Sequence, residues 1–245
     1  MIKTVKIFPS PQLLAEVMAL ILVNQINDAE RRKSPVTIAL SGGNTPTLLF
    51  SVLADKYADS VNWRFVHFFW VDERCVSPDD PESNYGTVCR ILFDKITIPD
   101  SCIHRIIGED DPEKEAARYS HEILKFVRSA DNLPVFDHIV LGMGADGHTA
   151  SIFPGNIKLF KSEEICDVTT HPLTGQKRVT ITGSVINNAD NITFLVTGHN
   201  KSGIIDDILQ NNLAADNYPA AKVVPLNGKV HWLIDKEAGS LLKSR

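Results

Sequence analysis

The chain has 245 residues and a formal net charge of -5, with 43% hydrophobic and 22% charged residues. Those proportions belong to an ordinary folded protein, and the mildly acidic balance argues against a nucleic-acid-binding surface as the main function. The four cysteines, Cys75, Cys89, Cys102 and Cys166, form no CxxC pair. That spacing argues against a zinc or thioredoxin-type site and suits a reducing, cytoplasmic setting.

Residues 5–8 read as a short strand, and Ser10 followed by Pro11 caps a helix that runs to about Arg32. No secretory leader is expected, because no long apolar core follows the first lysines, and residues 13–23 are too short to span a bilayer. Residues 36–40 form an apolar strand ending in SGGNTP, with a helix predicted over 46–58. A second unbroken apolar strand, 65–71, runs into Asp72, Glu73 and Arg74, and Ser83 caps a helix to about Phe93. A helix follows over 112–129, then a strand over 136–141. Beyond it come strands at 165–169 and 178–182 around a turn, a strand at 191–197, a helix from Gly198 to about Asn211, and a last strand at 230–234 before a short C-terminal helix. Unbroken apolar strands alternating with helices imply a mostly parallel α/β sheet with helices on both faces. No linker or internal repeat divides the chain, so residues 1–245 are read as one domain.

Three strand ends carry chemistry. Ser41, Gly42, Gly43, Asn44 and Thr45 stand between a strand and a helix, where backbone N–H groups and a helix N-terminus favour an anion. As a plain tight turn, the same residues would use Thr45 as an N-cap. The loop is neither GxGxxG nor a Walker A, so neither a dinucleotide nor ATP is implied. Asp72, Glu73 and Arg74 place two acids and an arginine at a strand's carboxyl end, where ligands of open α/β sheets bind. Residues 141–155, LGMGADGHTASIFPG, put Asp146 and His148 at a third such end, ahead of a small-residue helix start. A histidine there can exchange protons near neutral pH. His67 and His138 lie inside apolar strands and read as packing residues, and no histidine pair has metal-ligand spacing. Arg178 and Lys201 lie at later element junctions and can meet a phosphate.

The segments SGGNTP, VDERCV, SNYG and GMGADGHTASIFPG, in that order, resemble the glucosamine-6-phosphate deaminase/6-phosphogluconolactonase family, and the resemblance runs on to Arg178 and TGHNKSG. It implies a Rossmann-like α/β fold of the deaminase and ribose-phosphate-isomerase type. The deaminases carry an FNEP-like sequence after the shared DGH, with a glutamate in the site. Here Ser151, Ile152, Phe153 and Pro154 stand instead. The resemblance therefore implies the lactonase branch: hydrolysis of 6-phospho-D-glucono-1,5-lactone to 6-phosphogluconate in the oxidative pentose phosphate pathway, with no cofactor or metal. The partner expected is a small phosphosugar lactone, with neither nucleic acid nor membrane. A deaminase or a non-catalytic sugar-phosphate sensor are the alternatives.

In that reading His148 activates water, and either Asp146 or Asp72 orients the imidazole. Arg74 steers substrate or stabilises developing charge. Residues 41–45, Arg178 and Lys201 hold the phosphate. Ser151 lacks the nucleophile-elbow context, which favours direct attack by water over an acyl-enzyme.

Overall fold

The computed structural model describes residues 2–242. In chain order its regular elements are β1 (Ile2–Phe8), α1 (Pro11–Arg32), β2 (Val36–Leu40), α2 (Asn44–Tyr57), β3 (Val66–Trp70), β4 (Asp72–Arg74), α3 (Asn84–Ile91), β5 (Ile103–His104) and α4 (Pro112–Phe126). They continue as β6 (Ser129–Ala130), β7 (Leu133–Pro134), β8 (His138–Leu141), β9 (Cys166–Thr170), β10 (Lys177–Ile181), α5 (Gly183–Asn187), β11 (Asn191–Val196), α6 (Ser202–Gln210) and β12 (Lys229–Asp235).

Seven strands form one sheet in the order β1-β12-β11-β8-β2-β3-β5, and every neighbouring pair is parallel. This is the α/β arrangement that the alternation of apolar strands and helices implies. All residues of β2 and β8 are buried, as central strands covered on both faces require. Strand order runs outward from β2 through β3 to β5 on one side, and from β8 through β11 and β12 to β1 on the other. The switch between these directions falls between β2 and β8.

The helices follow local chemistry. Ser10 accepts the N–H of Leu13 at the start of α1, Pro11 occupies its first turn, and Lys33 ends it in the left-handed region with φ 54°. Its apolar stripe, Leu14, Met18, Leu22 and Ile26, lies buried on the sheet. The expected helix over 112–129 instead stops at Phe126. Asp131 and Asn132 both take positive φ there and make a two-residue turn between β6 and β7. His138 is the packing residue its strand suggests. Its ring nitrogens meet Gln25 Oε1 and Thr193 Oγ1, both at 2.9 Å, and burial pushes its pKa down to about 3.

Two expected helices are absent. After His148, Ala150 takes φ 49° and Thr149 bridges Ile152, so the chain makes a tight reversal before a 3-10 stretch over Pro154–Lys161. After β12, residues 236–242 make hydrogen-bonded turns held by the carboxylate and carbonyl of Asp235, and residues 243–245 lie outside the described part. Among the described residues no helix is long and apolar enough to cross a membrane.

The short edge strand β5 leaves the outer side of Trp70, at the end of β3, without a strand partner, and α4 supplies the missing groups. Tyr119, fully buried, accepts the Trp70 N–H at 2.7 Å and donates to the Trp70 carbonyl at 2.9 Å. Tyr119→Phe strands both backbone groups in a dry core and is expected to lower unfolding free energy by about 1–3 kcal/mol. Urea denaturation measures it, and an unchanged midpoint would contradict this account.

Candidate active site

The loops after β2 and β8 meet at the switch point, above the carboxyl ends of both strands. Ser41 joins them: its hydroxyl donates to the Val140 carbonyl at 2.9 Å and accepts the Gly142 N–H at 3.4 Å. Gly43, at φ 101°, lets the chain turn straight into α2, which starts at Asn44 rather than at Pro46. No side chain caps this helix, and Thr45 uses its hydroxyl on Thr197, at 2.8 Å, instead of acting as the cap. The free N–H groups of the first turn open on a cleft. Gly42 is needed for space, because a Cβ there would lie 1.8 Å from Asn84 Oδ1.

The second side of the cleft is a three-stranded antiparallel sheet, β4-β10-β9. Strand alternation divides the Asp-Glu-Arg run between two faces. Asp72 and Arg74 line the cleft. Glu73 turns the other way and is buried, where its carboxylate accepts the N–H groups of Arg74, Asn84 and Tyr85 and the Ser83 hydroxyl at 2.7–3.1 Å. Burial raises its pKa while those backbone bonds pull it back down. Glu73 therefore docks the N-terminus of α3 onto β4, and Asn84 at that terminus reaches the cleft wall with its amide on the Asp72 carbonyl, at 2.9 Å.

The register sets Arg178 opposite Arg74 and Thr180 opposite Asp72. Arg178 is 8% exposed, and burial lowers its pKa. Among the described residues neither arginine makes a salt bridge, and the Nε of each is buried with no hydrogen-bond partner. Their bonds go to neutral oxygens: Arg74 donates to the Glu82 carbonyl, and Arg178 to Gln176 Oε1 at 3.1 Å. Gln176 in turn donates to the Glu82 carboxylate at 2.9 Å, tying the β9–β10 hairpin to the loop before α3.

His148 ends a tight turn. Its Nδ1 meets Asp146 Oδ1 at 2.6 Å, and its backbone N–H donates to the same oxygen at 3.1 Å. Burial works to raise the Asp146 pKa, but the bonds from His148 outweigh it and hold the carboxyl at about 2. Of the two acids that could orient the imidazole, the structure therefore puts Asp146 in contact. Asp72 is engaged elsewhere: Ser151 donates to its Oδ2 at 2.6 Å inside the protein. Gly144 leaves room for this pair, since a Cβ there would lie 2.1 Å from His148 Nδ1 and 2.6 Å from Asp146 Oδ1. The buried Phe153 ring backs the imidazole with centroids 4.9 Å apart.

The cleft spans about 670 Å³ including its open mouth, and its walls bring together residues 41–45, Asp72, Arg74, His148, Arg178 and Lys201. Asp146 stands behind the imidazole rather than on the wall. Lys201 follows Gly198, whose φ of 93° turns β11 toward α6, and partial burial lowers its pKa. Thr197, Met143 and Phe153 complete the surroundings, each from a quoted segment though none was itself expected at the site. His171 also comes near, stacking edge-on against Phe153 at 5.0 Å, although its sequence context is an unremarked hairpin.

Residues 9–232 match the family described as glucosamine-6-phosphate isomerases/6-phosphogluconolactonase. The 6-phosphogluconolactonase of Aggregatibacter actinomycetemcomitans is 44% identical over 238 residues, 96% of this chain and 98% of that protein. The crystal structure titled devB protein superposes with a TM-score of 0.93 at 40% identity, covering 99% of this chain and all of that one. The 6-phosphogluconolactonase from Trypanosoma cruzi gives 0.87 at 28% identity, covering 99% of this chain and 97% of that one.

The depressed Asp146 pKa has a measurable consequence. Ionised Asp146 favours the native turn, a contribution present above its ordinary value of 3.8 and lost as pH falls through about 2. Carboxyl-carbon NMR is expected to place its titration near 2, and His148→Ala to move it back toward 3.8. A midpoint unmoved by that substitution would show that the imidazole is not the partner.

Proposed function

The chain belongs to the family of glucosamine-6-phosphate isomerases and 6-phosphogluconolactonases, and we propose that its cleft hydrolyses 6-phospho-D-glucono-1,5-lactone to 6-phosphogluconate. The observation that carries this reading is one juxtaposition: an imidazole pinned by a carboxylate faces the same cleft as two arginines that form no salt bridge among the described residues. The pairing suits a substrate with a dianionic end and a carbonyl that water must attack.

In the mechanism we infer, His148 keeps Nδ1 on Asp146, so Nε2 takes the proton of a water molecule attacking the lactone carbonyl. Charge builds on the carbonyl oxygen, where the Arg74 guanidinium stabilises it. The imidazolium then returns the proton to the departing ring oxygen, the C–O bond breaks, and the carboxylic acid so formed gives its proton to solvent, leaving a carboxylate and a free hydroxyl. The first turn of α2 with residues 41–45, together with Arg178 and Lys201, holds the phosphate and fixes the carbonyl within reach of the water. Asp72, with one oxygen on Ser151, offers its other oxygen to a sugar hydroxyl.

Ser151 is buried and donates to Asp72, which suits support of that acid better than attack as a nucleophile. The residues after His148 bring no further carboxylate to the cleft, so the amine-releasing chemistry of the deaminases lacks its acid here. Four free thiols fit a cytoplasmic setting.

The test generates the lactone in place with glucose-6-phosphate dehydrogenase and follows its hydrolysis with excess 6-phosphogluconate dehydrogenase. Acceleration above the spontaneous rate is expected, and His148→Ala is expected to lower kcat by about 10²–10⁴-fold. No acceleration by folded protein would overturn the reading. Lys201→Met removes a charge-assisted bond of about 1.5–3 kcal/mol and is expected to raise KM roughly tenfold or more with kcat little changed. An unchanged KM would remove Lys201 from the phosphate site.

A further inference from the structure

The turn that carries His148 is braced from outside as well as from within. Within it, the Gly144 N–H donates to the His148 carbonyl at 2.9 Å and the Gly147 N–H to the Gly144 carbonyl at 3.2 Å. Its outer side is held by a different part of the chain. The Gly147 carbonyl accepts the Ala220 N–H at 3.0 Å, and the Tyr218 ring lies flush on Gly147. A Cβ at Gly147 would stand 2.6–2.8 Å from Cδ1, Cβ and Cγ of Tyr218. Gly147 has φ 79° and separates Asp146 from His148, so any shift there changes how carboxylate and imidazole meet.

Tyr218 is anchored at both ends. Its N–H donates to the Ala215 carbonyl at 3.1 Å, and its hydroxyl donates to Asp207 Oδ2, on α6, at 3.2 Å. The other oxygen of Asp207 takes the Asn212 amide at 2.9 Å, which fixes the carboxylate. Tyr218 itself does not line the cleft.

We propose that Tyr218 is a positioning residue for His148, its anchored ring holding the Gly144–His148 turn in the form that sets the imidazole against Asp146. The proposal rests on His148 as the base. A residue that acts only by aiming another costs turnover through misplacement, and a displacement near 1 Å costs about 10²-fold. It leaves phosphate binding alone, and it has nothing to aim once the base is gone.

Tyr218→Phe keeps the ring and Tyr218→Ala removes it. In the coupled lactonase assay Tyr218→Ala is expected to lower kcat about 10²-fold with KM unchanged, while Tyr218→Phe retains most of the activity. In a His148→Ala background Tyr218→Ala is expected to cost nothing further. Amide hydrogen exchange at Gly144 and Gly147 is expected to speed up in Tyr218→Ala and not in Tyr218→Phe, whatever the reaction. Should Tyr218→Ala fail to fold, Tyr218→Leu, which fills space without a planar face, carries the same comparisons. Wild-type kcat in the ring-deleted variant, an equal loss with and without His148, or unchanged exchange would each overturn the proposal. A wild-type protein without lactonase activity would instead sink the proposed function, and a fully active His148→Ala would remove the base on which both depend.

Discussion

Val71 lies between β3 and β4 and bonds to both sheets, and the cleft follows from that. Its N–H donates to the Leu40 carbonyl at 2.9 Å, the last bond of the parallel sheet on that side. Its carbonyl accepts the Ile181 N–H at 2.8 Å, the first bond of the antiparallel one. The chain leaves the main sheet at this residue, and the next three form β4. From there the two-residue alternation of a strand decides which of Asp72, Glu73 and Arg74 sees the cleft, and the antiparallel register brings Arg178 alongside. A one-residue slip at Val71 would bury the arginine and expose the helix-docking glutamate.

The charge arrangement suits the anionic substrate proposed for the cleft. Two arginines directly opposite on neighbouring strands repel one another. A protein built for stability alone would set a carboxylate between them. Instead, neutral oxygens from Glu82 and Gln176 hold the guanidinium groups in place without cancelling their charge. Uncapped α2 and half-buried Lys201 add to the same field, although the whole chain is acidic. Backbone strain gathers here too, with Ala150 in the left-handed region beside the turn that carries His148.

Much of this was legible in the sequence. Apolar runs located the central strands, and the caps Ser10 and Ser83 located their helices, because those signals act within a few residues. The strand ends at Ser41, Asp72 and His148 were readable for the same reason. What escaped depends on contacts between distant segments. Asp72 and Glu73 look alike in sequence, and only pairing with β10 gives them opposite faces. Asp146 and Asp72 were equal candidates for His148 until the Asx-type turn put the nearer acid on the ring and Ser151 claimed the other. The helix start expected after His148 yields to a left-handed Ala150. Tyr218 has no local mark at all; its role comes from a glycine some seventy residues earlier in the chain.

The outermost pair of the main sheet also sets a timetable for synthesis. Among the described residues β1 pairs only with β12, so β1 is made long before its partner exists. The β1 residues Val5 and Ile7 stay exposed even in the folded chain, flanked by Lys3 and Lys6, whose charges discourage pairing with other chains. The strands that carry the cleft, β2, β3 and β8, have all left the ribosome well before β12. The edge therefore closes only once β12 has been made, and until then the growing chain is open to aggregation and to the chaperones that guard against it.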